Sequence, residues 1–238
     1  MRVQLIVLVC CWLTTTVQAQ FVAERGIDER ERSVTNQVMA IAVYDAVTKT
    51  PLPSDFSVNG INPRKPTEFS AVADTLLDIR NYREYTVTCV REGYMIYSEK
   101  FWPDEASIHK QNVALRTLAI GLKTDMREIS FLGDKTEIYA RSKPALDDLI
   151  RWLQLNSSIS IAIIGHVNGP DNERSARFYQ KASLERAKAV RNYLVENGIN
   201  EARLDIKGAG NTEMIYADPA TDWQNEANRR IEIEIIGL

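Results

Sequence analysis

Residues 159–164 read Ile159-Ser160-Ile161-Ala162-Ile163-Ile164 and close on Gly165. A run this apolar marks a strand buried on both faces, so helices must cover it. Helical patterns flank it on either side. Upstream, Leu146, Leu149, Ile150 and Leu153 recur with the 3.6-residue period, Pro144 falls in the first turn, and Ser142 is placed to cap. Downstream, Ala187, Val190 and Leu194 repeat that period, and Gly198 offers a C-terminal cap. Short strands are expected at residues 127–131, 203–207 and 231–236. The resulting order, β-α-β-α-β-β, predicts an α/β sandwich with helices against a mixed sheet.

The preceding stretch has a different grammar. Strand-like segments at residues 38–44, 56–58, 85–90, 95–101 and 113–118 are separated by turn formers, among them Thr50-Pro51-Leu52-Pro53, Asn59-Gly60, Asn62-Pro63 and Arg91-Glu92-Gly93. This spacing predicts a small antiparallel β-sandwich over residues 37–120. The pattern Val43-Tyr44-Asp45, Thr48, Pro51-Leu52, Tyr85-Thr86-Val87 and Gly93-Tyr94 resembles the carboxypeptidase-regulatory-like sandwiches of exported Bacteroidota proteins. That resemblance implies an accessory spacer or docking module. A chain of 238 residues accommodates both parts, so the expected class is α+β with two domains.

The first residues carry an export signal: Arg2, an apolar run over residues 5–13, and Val17-Gln18-Ala19 as the cleavage site. Residues 1–19 are therefore expected to be removed, and residues 20–36, rich in charge, to form a flexible tail. The apolar run is shorter than the ~20 residues a bilayer span needs, so no transmembrane segment is expected in the mature chain. The destination implied by the signal is the periplasm. Of three cysteines, Cys10 and Cys11 leave with the signal; Cys89 sits in a strand pattern and reads as a buried, inert thiol.

A net charge of −3 provides no basic field for nucleic acid. The two histidines, His109 and His166, fall in different predicted domains, and Cys89 has no ligand at metal spacing, so no metal site is expected. His166 follows the buried strand, where a structural hydrogen bond is the expected role. No nucleophile motif accompanies it, and the Gly208-Ala209-Gly210 loop has Glu213 where a third glycine would stand. The chain is read as non-enzymatic and free of cofactors.

Ile129-Ser130-Phe131, Gly165-His166, Ser183 with Arg186-Ala187 and Val190, Gly198-Ile199, Gly208-Ala209-Gly210 and Asn228-Arg229-Arg230-Ile231-Glu232 occur in the order and spacing of OmpA-like domains, and residues 123–238 resemble that family. The resemblance implies a groove that holds the diaminopimelate residue of a peptidoglycan stem peptide. The end of that ligand carries an ammonium and a carboxylate on one carbon, which an arginine fork and an aspartate can oppose. By the motif, Arg186 is the fork, Gly133 and Asp134 supply backbone donors, and Arg229 belongs to the same groove. The family's aspartate is replaced by Asn168, the loop after it is longer and includes Asp171 and Glu173, and the usual asparagine before the second helix is Tyr179. Three outcomes stay open: weaker binding through Asn168, replacement of the lost charge by Asp171 or Glu173, or a degenerate domain that has become a protein-interaction module of an envelope or secretion assembly. In the first two cases the wall is the ligand, and the N-terminal sandwich holds an envelope protein.

Overall fold

The computed structural model describes residues 37–60, 66–79, 84–101, 103, 108–132, 135–169 and 174–238. The expected signal peptide and tail lie outside these residues, as do Gly133, Asp134, Asp171 and Glu173.

Strict alternation of buried and half-buried side chains along Gln37–Asp45 (β1) turns Met39, Ile41 and Val43 inward. β1 is the middle strand of a three-stranded sheet, antiparallel to Asp74–Ile79 (β4) and parallel to Ile108–Leu115 (β7). A second sheet, ordered β3-β2-β5-β6, joins Thr67–Val72 (β3), Ser54–Asn59 (β2), Tyr85–Val90 (β5) and Tyr97–Phe101 (β6), all antiparallel. Phe56, Val58, Val87 and Cys89 from this sheet meet β1 and β7 in one core. Burial pushes the Cys89 thiol up to about 12, which keeps it protonated and inert.

This sandwich is mixed rather than wholly antiparallel. A parallel pair needs a long crossover, and the passage of the chain through the second sheet between β1 and β7 supplies it. β3 and β4, absent from the sequence reading, are edge strands with mostly half-exposed or exposed side chains, so no apolar alternation announces them.

The C-terminal sheet has the order β10-β9-β11-β8. Its strands are Lys123–Met126 (β8), Ser160–His166 (β9), Leu204–Gly210 (β10) and Ile231–Gly237 (β11); β9 and β10 run parallel, and β11 runs antiparallel to β9 and β8. The helices are Lys143–Leu155 (α1), Ala176–Glu196 (α2) and Asp222–Asn228 (α3). No helix among the described residues is long and apolar enough to cross a membrane.

Three local expectations are corrected. The first strand covers residues 123–126 and not 127–131, because the chain turns after Met126 pairs with Ile231 and drops Ile129 into the core. Ser142 precedes α1 but makes no side-chain cap; its hydroxyl oxygen accepts from Ser130 N at 3.0 Å. A further short helix, α3, precedes the last strand, opened by a box in which Gln224 Oε1 accepts from Thr221 N at 3.2 Å.

Two glycines let α2 lie directly on the sheet. A Cβ on Gly165 would stand 2.0 Å from Ser183 O, and one on Gly208 2.6 Å from Gln180 O. Ser183 completes the contact, donating from Oγ to Gln180 O and accepting from Gly210 N, each at 2.9 Å.

The N-terminal and C-terminal regions share buried surface. Val90, Met95 and Ile96 enter the C-terminal core beside Leu149, Trp152 and Leu153. Trp152 Nε1 donates to Tyr94 O at 2.8 Å, and Gly93 N donates to Asn156 Oδ1 at 2.8 Å. At the same junction Arg151 pairs with Asp55, and Ser57 Oγ donates to Asp148 Oδ2 at 2.9 Å.

Burial pushes the Asp148 carboxyl up to about 6, against the opposing pull of Ser57 and Arg151. Because its folded value exceeds the ordinary 3.8, ionisation weakens the folded state; the cost is full above about pH 6 and fades as pH falls toward about 4. Asp148→Asn keeps an acceptor for Ser57 and removes the charge. It is expected to stabilise the protein by about 1–2 kcal/mol at pH 7.5, or about 3–6 °C in melting temperature, with no gain near pH 4. Thermal melts at the two pH values check this; an equal gain at both would reject the burial account.

Candidate functional site

The loop from β8 to α1 is pinned where Ser142 Oγ holds Ser130, and this fixes the ring of Phe131. Across from it, Arg186 rises from the middle of α2, a helix whose start is set by Ser175 Oγ accepting from Phe178 N at 3.3 Å. Arg186 is only 7% exposed, and its guanidinium carbon lies 5.2 Å from the centre of the Phe131 ring. A weakly hydrated, planar cation stacked on an aromatic face suits such a position.

Around this pair closes a cavity of about 160 Å³. Tyr139, Arg141, Glu226 and Arg229 complete its lining with Ser130. Arg141 lies over the Tyr139 ring, 4.6 Å from its centre. Arg229 Nη1 reaches Glu226 Oε1 at 2.8 Å, one turn apart at the end of α3. The cavity therefore presents three guanidinium groups and one carboxylate. Such a set can oppose a ligand carboxylate with a fork and an adjacent ammonium with Glu226.

Of the residues expected from sequence, Arg186 and Arg229 come together in this cavity. Asn168 stands outside its lining. The Asn168 Nδ2 donates to Asn225 Oδ1 at 2.8 Å, and its Oδ1 accepts from Asn228 Nδ2 at 2.7 Å. The fully buried Asn228 in turn accepts from Tyr216 N and donates to Tyr216 O. Asn168 thus ties the segment just after β9 to one face of α3, the helix that presents Glu226. Tyr179 packs against Gly169, where an added Cβ would fall 2.6 Å from its ring, and its hydroxyl accepts from Arg174 N at 3.4 Å.

Glu226 and Arg141 were missed by the sequence reading. The only available signal for Glu226 was the Thr221-x-x-Gln224 box, which opens a helix six residues before the Asn-Arg-Arg motif. A larger cavity of about 640 Å³ adjoins the small one and shares Ser130, Arg141 and Glu226 with it. Its far wall is built by the N-terminal region, from Asn59, Thr86 and Lys100, while the indole of Trp223, 52% exposed, lines it from α3.

His166 departs from its expected role. It is 2% exposed, and neither ring nitrogen has a hydrogen-bond partner among the described residues. Burial, followed by the neighbouring Arg230, holds its imidazole down to about 4, so the ring is neutral at pH 7.

Residues 130–229 match the model of the OmpA family. Outer membrane porin F of Pseudomonas aeruginosa is 31% identical over 109 residues, a match covering 45% of this chain and 30% of that protein. Outer membrane protein A of Bordetella avium is 30% identical over 104 residues, covering 44% of this chain and 52% of that one. The chain thus spans about half or less of these relatives' lengths. Among solved structures, the peptidoglycan-associated lipoprotein from Burkholderia pseudomallei aligns with 17% identity and a TM-score of 0.39, over 46% of this chain and 88% of that chain.

Proposed function

We propose that the OmpA family domain formed by residues 130–229 anchors this chain to peptidoglycan in the cell envelope, without catalysis, by gripping the diaminopimelate of a stem peptide in the small cavity. The observation that carries this reading is Arg186, buried on Phe131 and opening into a space that also holds a carboxylate. Arg186 takes the ligand's carboxylate; Arg229 and Arg141 reinforce the positive side. Glu226 supplies the negative charge that Asn168 lacks and faces the ligand's ammonium. Asn168 serves as a positioning residue through Asn225 and Asn228. In this reading Gly133 and Asp134 offer backbone donors to the ligand, and Asp171 adds a second negative charge from the loop.

The adjoining cavity gives the remainder of the stem peptide a path toward the N-terminal sheets. Those sheets hold an envelope protein partner, so the chain links that partner to the wall in the periplasm.

Co-sedimentation of the protein with purified sacculi tests the anchor. Retention in the pellet, competed by free diaminopimelate, is the expected result. No pelleting, together with capture of one stoichiometric protein partner, would replace the anchor with a protein-interaction module.

Glu226→Gln is expected to weaken binding of a diaminopimelate-containing peptide by about fivefold, the scale for a charge more than half exposed. Calorimetry checks this, with Glu185→Gln, on α2 and outside the cavity lining, as the unchanged control.

A further inference from the structure

The pleat of the C-terminal sheet sorts its side chains. Ile161, Ile163, Ile231 and Ile233 face the helices and the core, so the alternate residues His166 and Glu232 share the opposite face. Over that face passes the loop after β10, carrying Glu213. Its course is fixed: Arg230 Nη1 donates to Glu213 O at 3.2 Å, and the Asn228 side chain clamps Tyr216. Three residues far apart in sequence thereby meet, and one ligand atom from each of His166, Glu213 and Glu232 lies within 4.8 Å of the others.

The imidazole makes this more than a pair of acids. A neutral histidine always carries one N–H and one lone pair, and leaving both unmatched in a buried site is costly. His166 leaves both ring nitrogens unmatched at less than 1 Å² of exposed area each. The cations nearby are already committed. Arg230 Nε pairs with Asp125 Oδ1 at 3.0 Å, and Lys123 Nζ pairs with Glu232 Oε1 at 2.8 Å, which leaves the second oxygen of Glu232. Glu213, on the exposed side, has no ion-pair partner among the described residues.

We propose that His166, Glu213 and Glu232 bind a single Zn²⁺ ion on the sheet face opposite the helices. One nitrogen and two carboxylate oxygens are a ligand set that zinc accepts, with water in the open position. Bond lengths near 2.0–2.2 Å put ligand atoms at most about 4 Å apart, so closure asks for a shift below about 1 Å, which the exposed Glu213 side chain can make. The imidazole selects zinc over magnesium or calcium, which prefer oxygen alone. Bound there, the ion joins β9, β11 and the loop over them. The site shares no residue with the peptidoglycan cavity.

The test uses the full chain carrying Cys10→Ser and Cys11→Ser, titrated with ZnCl₂ in calorimetry and with Co²⁺ followed by its visible absorption. One ion per chain is expected, with a Co²⁺ band of four- or five-coordinate character. Glu213→Gln should weaken zinc binding by about tenfold or more, and His166→Gln should abolish the band. Glu213 is exposed, so its variant keeps the test open even if His166→Gln fails to fold. No stoichiometric zinc binding, equal affinity in Glu213→Gln and the parent, or equal affinity for Mg²⁺ would overturn the proposal.

Discussion

Arg186→Ala is expected to release the protein from sacculi, with affinity for a diaminopimelate peptide lowered by about 30-fold or more. Removing one partner of a buried, charge-assisted contact costs about 2–5 kcal/mol, and each 1.4 kcal/mol is about a decade. Arg186 is the most buried of the three arginines around the cavity, and no other cation among the described residues stacks on Phe131. Arg229 and Arg141 therefore cannot substitute for it. Arg186→Lys keeps the charge but loses the planar fork and should recover only part of the affinity. Circular dichroism separates this from unfolding: a folded Arg186→Ala protein that still pellets fully with sacculi would end the assignment of Arg186 as the carboxylate grip.

Gly165→Ala is expected to be the most damaging alanine substitution among the described glycines. The added methyl would meet the carbonyl oxygen of Ser183 at 2.0 Å and its carbon at 2.8 Å. Both are backbone atoms of α2, so no rotamer change relieves the clash and the helix must lift from β9. Overpacking costs about 1–3 kcal/mol where side chains can yield, and a backbone clash belongs at or above the top of that range. A loss of about 3 kcal/mol or more, or about 10 °C in melting temperature, is expected. Gly198→Ala provides the contrast. No atom stands within 4 Å of a Cβ there, and only the positive φ of 89° resists, worth about 1 kcal/mol. Equal losses in the two variants would show that contact with α2 is not what demands glycine at 165.

The features legible in the sequence are those with a one-dimensional signature. The isoleucine run of β9 and the 3.6-residue period of α1 and α2 fall where their side chains are buried, with Leu146, Leu149, Leu153, Val190 and Leu194 all at 0–1% exposure. The edge strands β3 and β4 have no apolar alternation to display, and α3 is too short and polar to show a period. The parallel pairing of β1 with β7 depends on where the chain re-enters the first sheet, which no local pattern records.

The same division holds for the site. Arg186 was legible because a motif fixes it relative to the helix that carries it. Glu226 was not, because its relation to Arg186 depends on packing α3 against the loop at Phe131. The gathering of His166, Glu213 and Glu232 likewise spans a sheet pairing and a loop crossing. The expectation of no metal site weighed spacing along the chain, with the two histidines in different domains, whereas the fold brings His166 together with two carboxylates from elsewhere in the sequence.

The seating of Trp152 beneath Tyr94, with Met95 and Ile96 in the same core, sets how the molecule carries force. Under the proposed anchoring, tension between a partner on the N-terminal sheets and a wall strand held near α2 would not run only along residues 116–122, the covalent link between the two regions. It is shared by an interlocked layer of side chains that must shear together before either region can separate. The two regions therefore act as one mechanical element that yields in a single step, a rigid strut where a hinged tether would have gone slack.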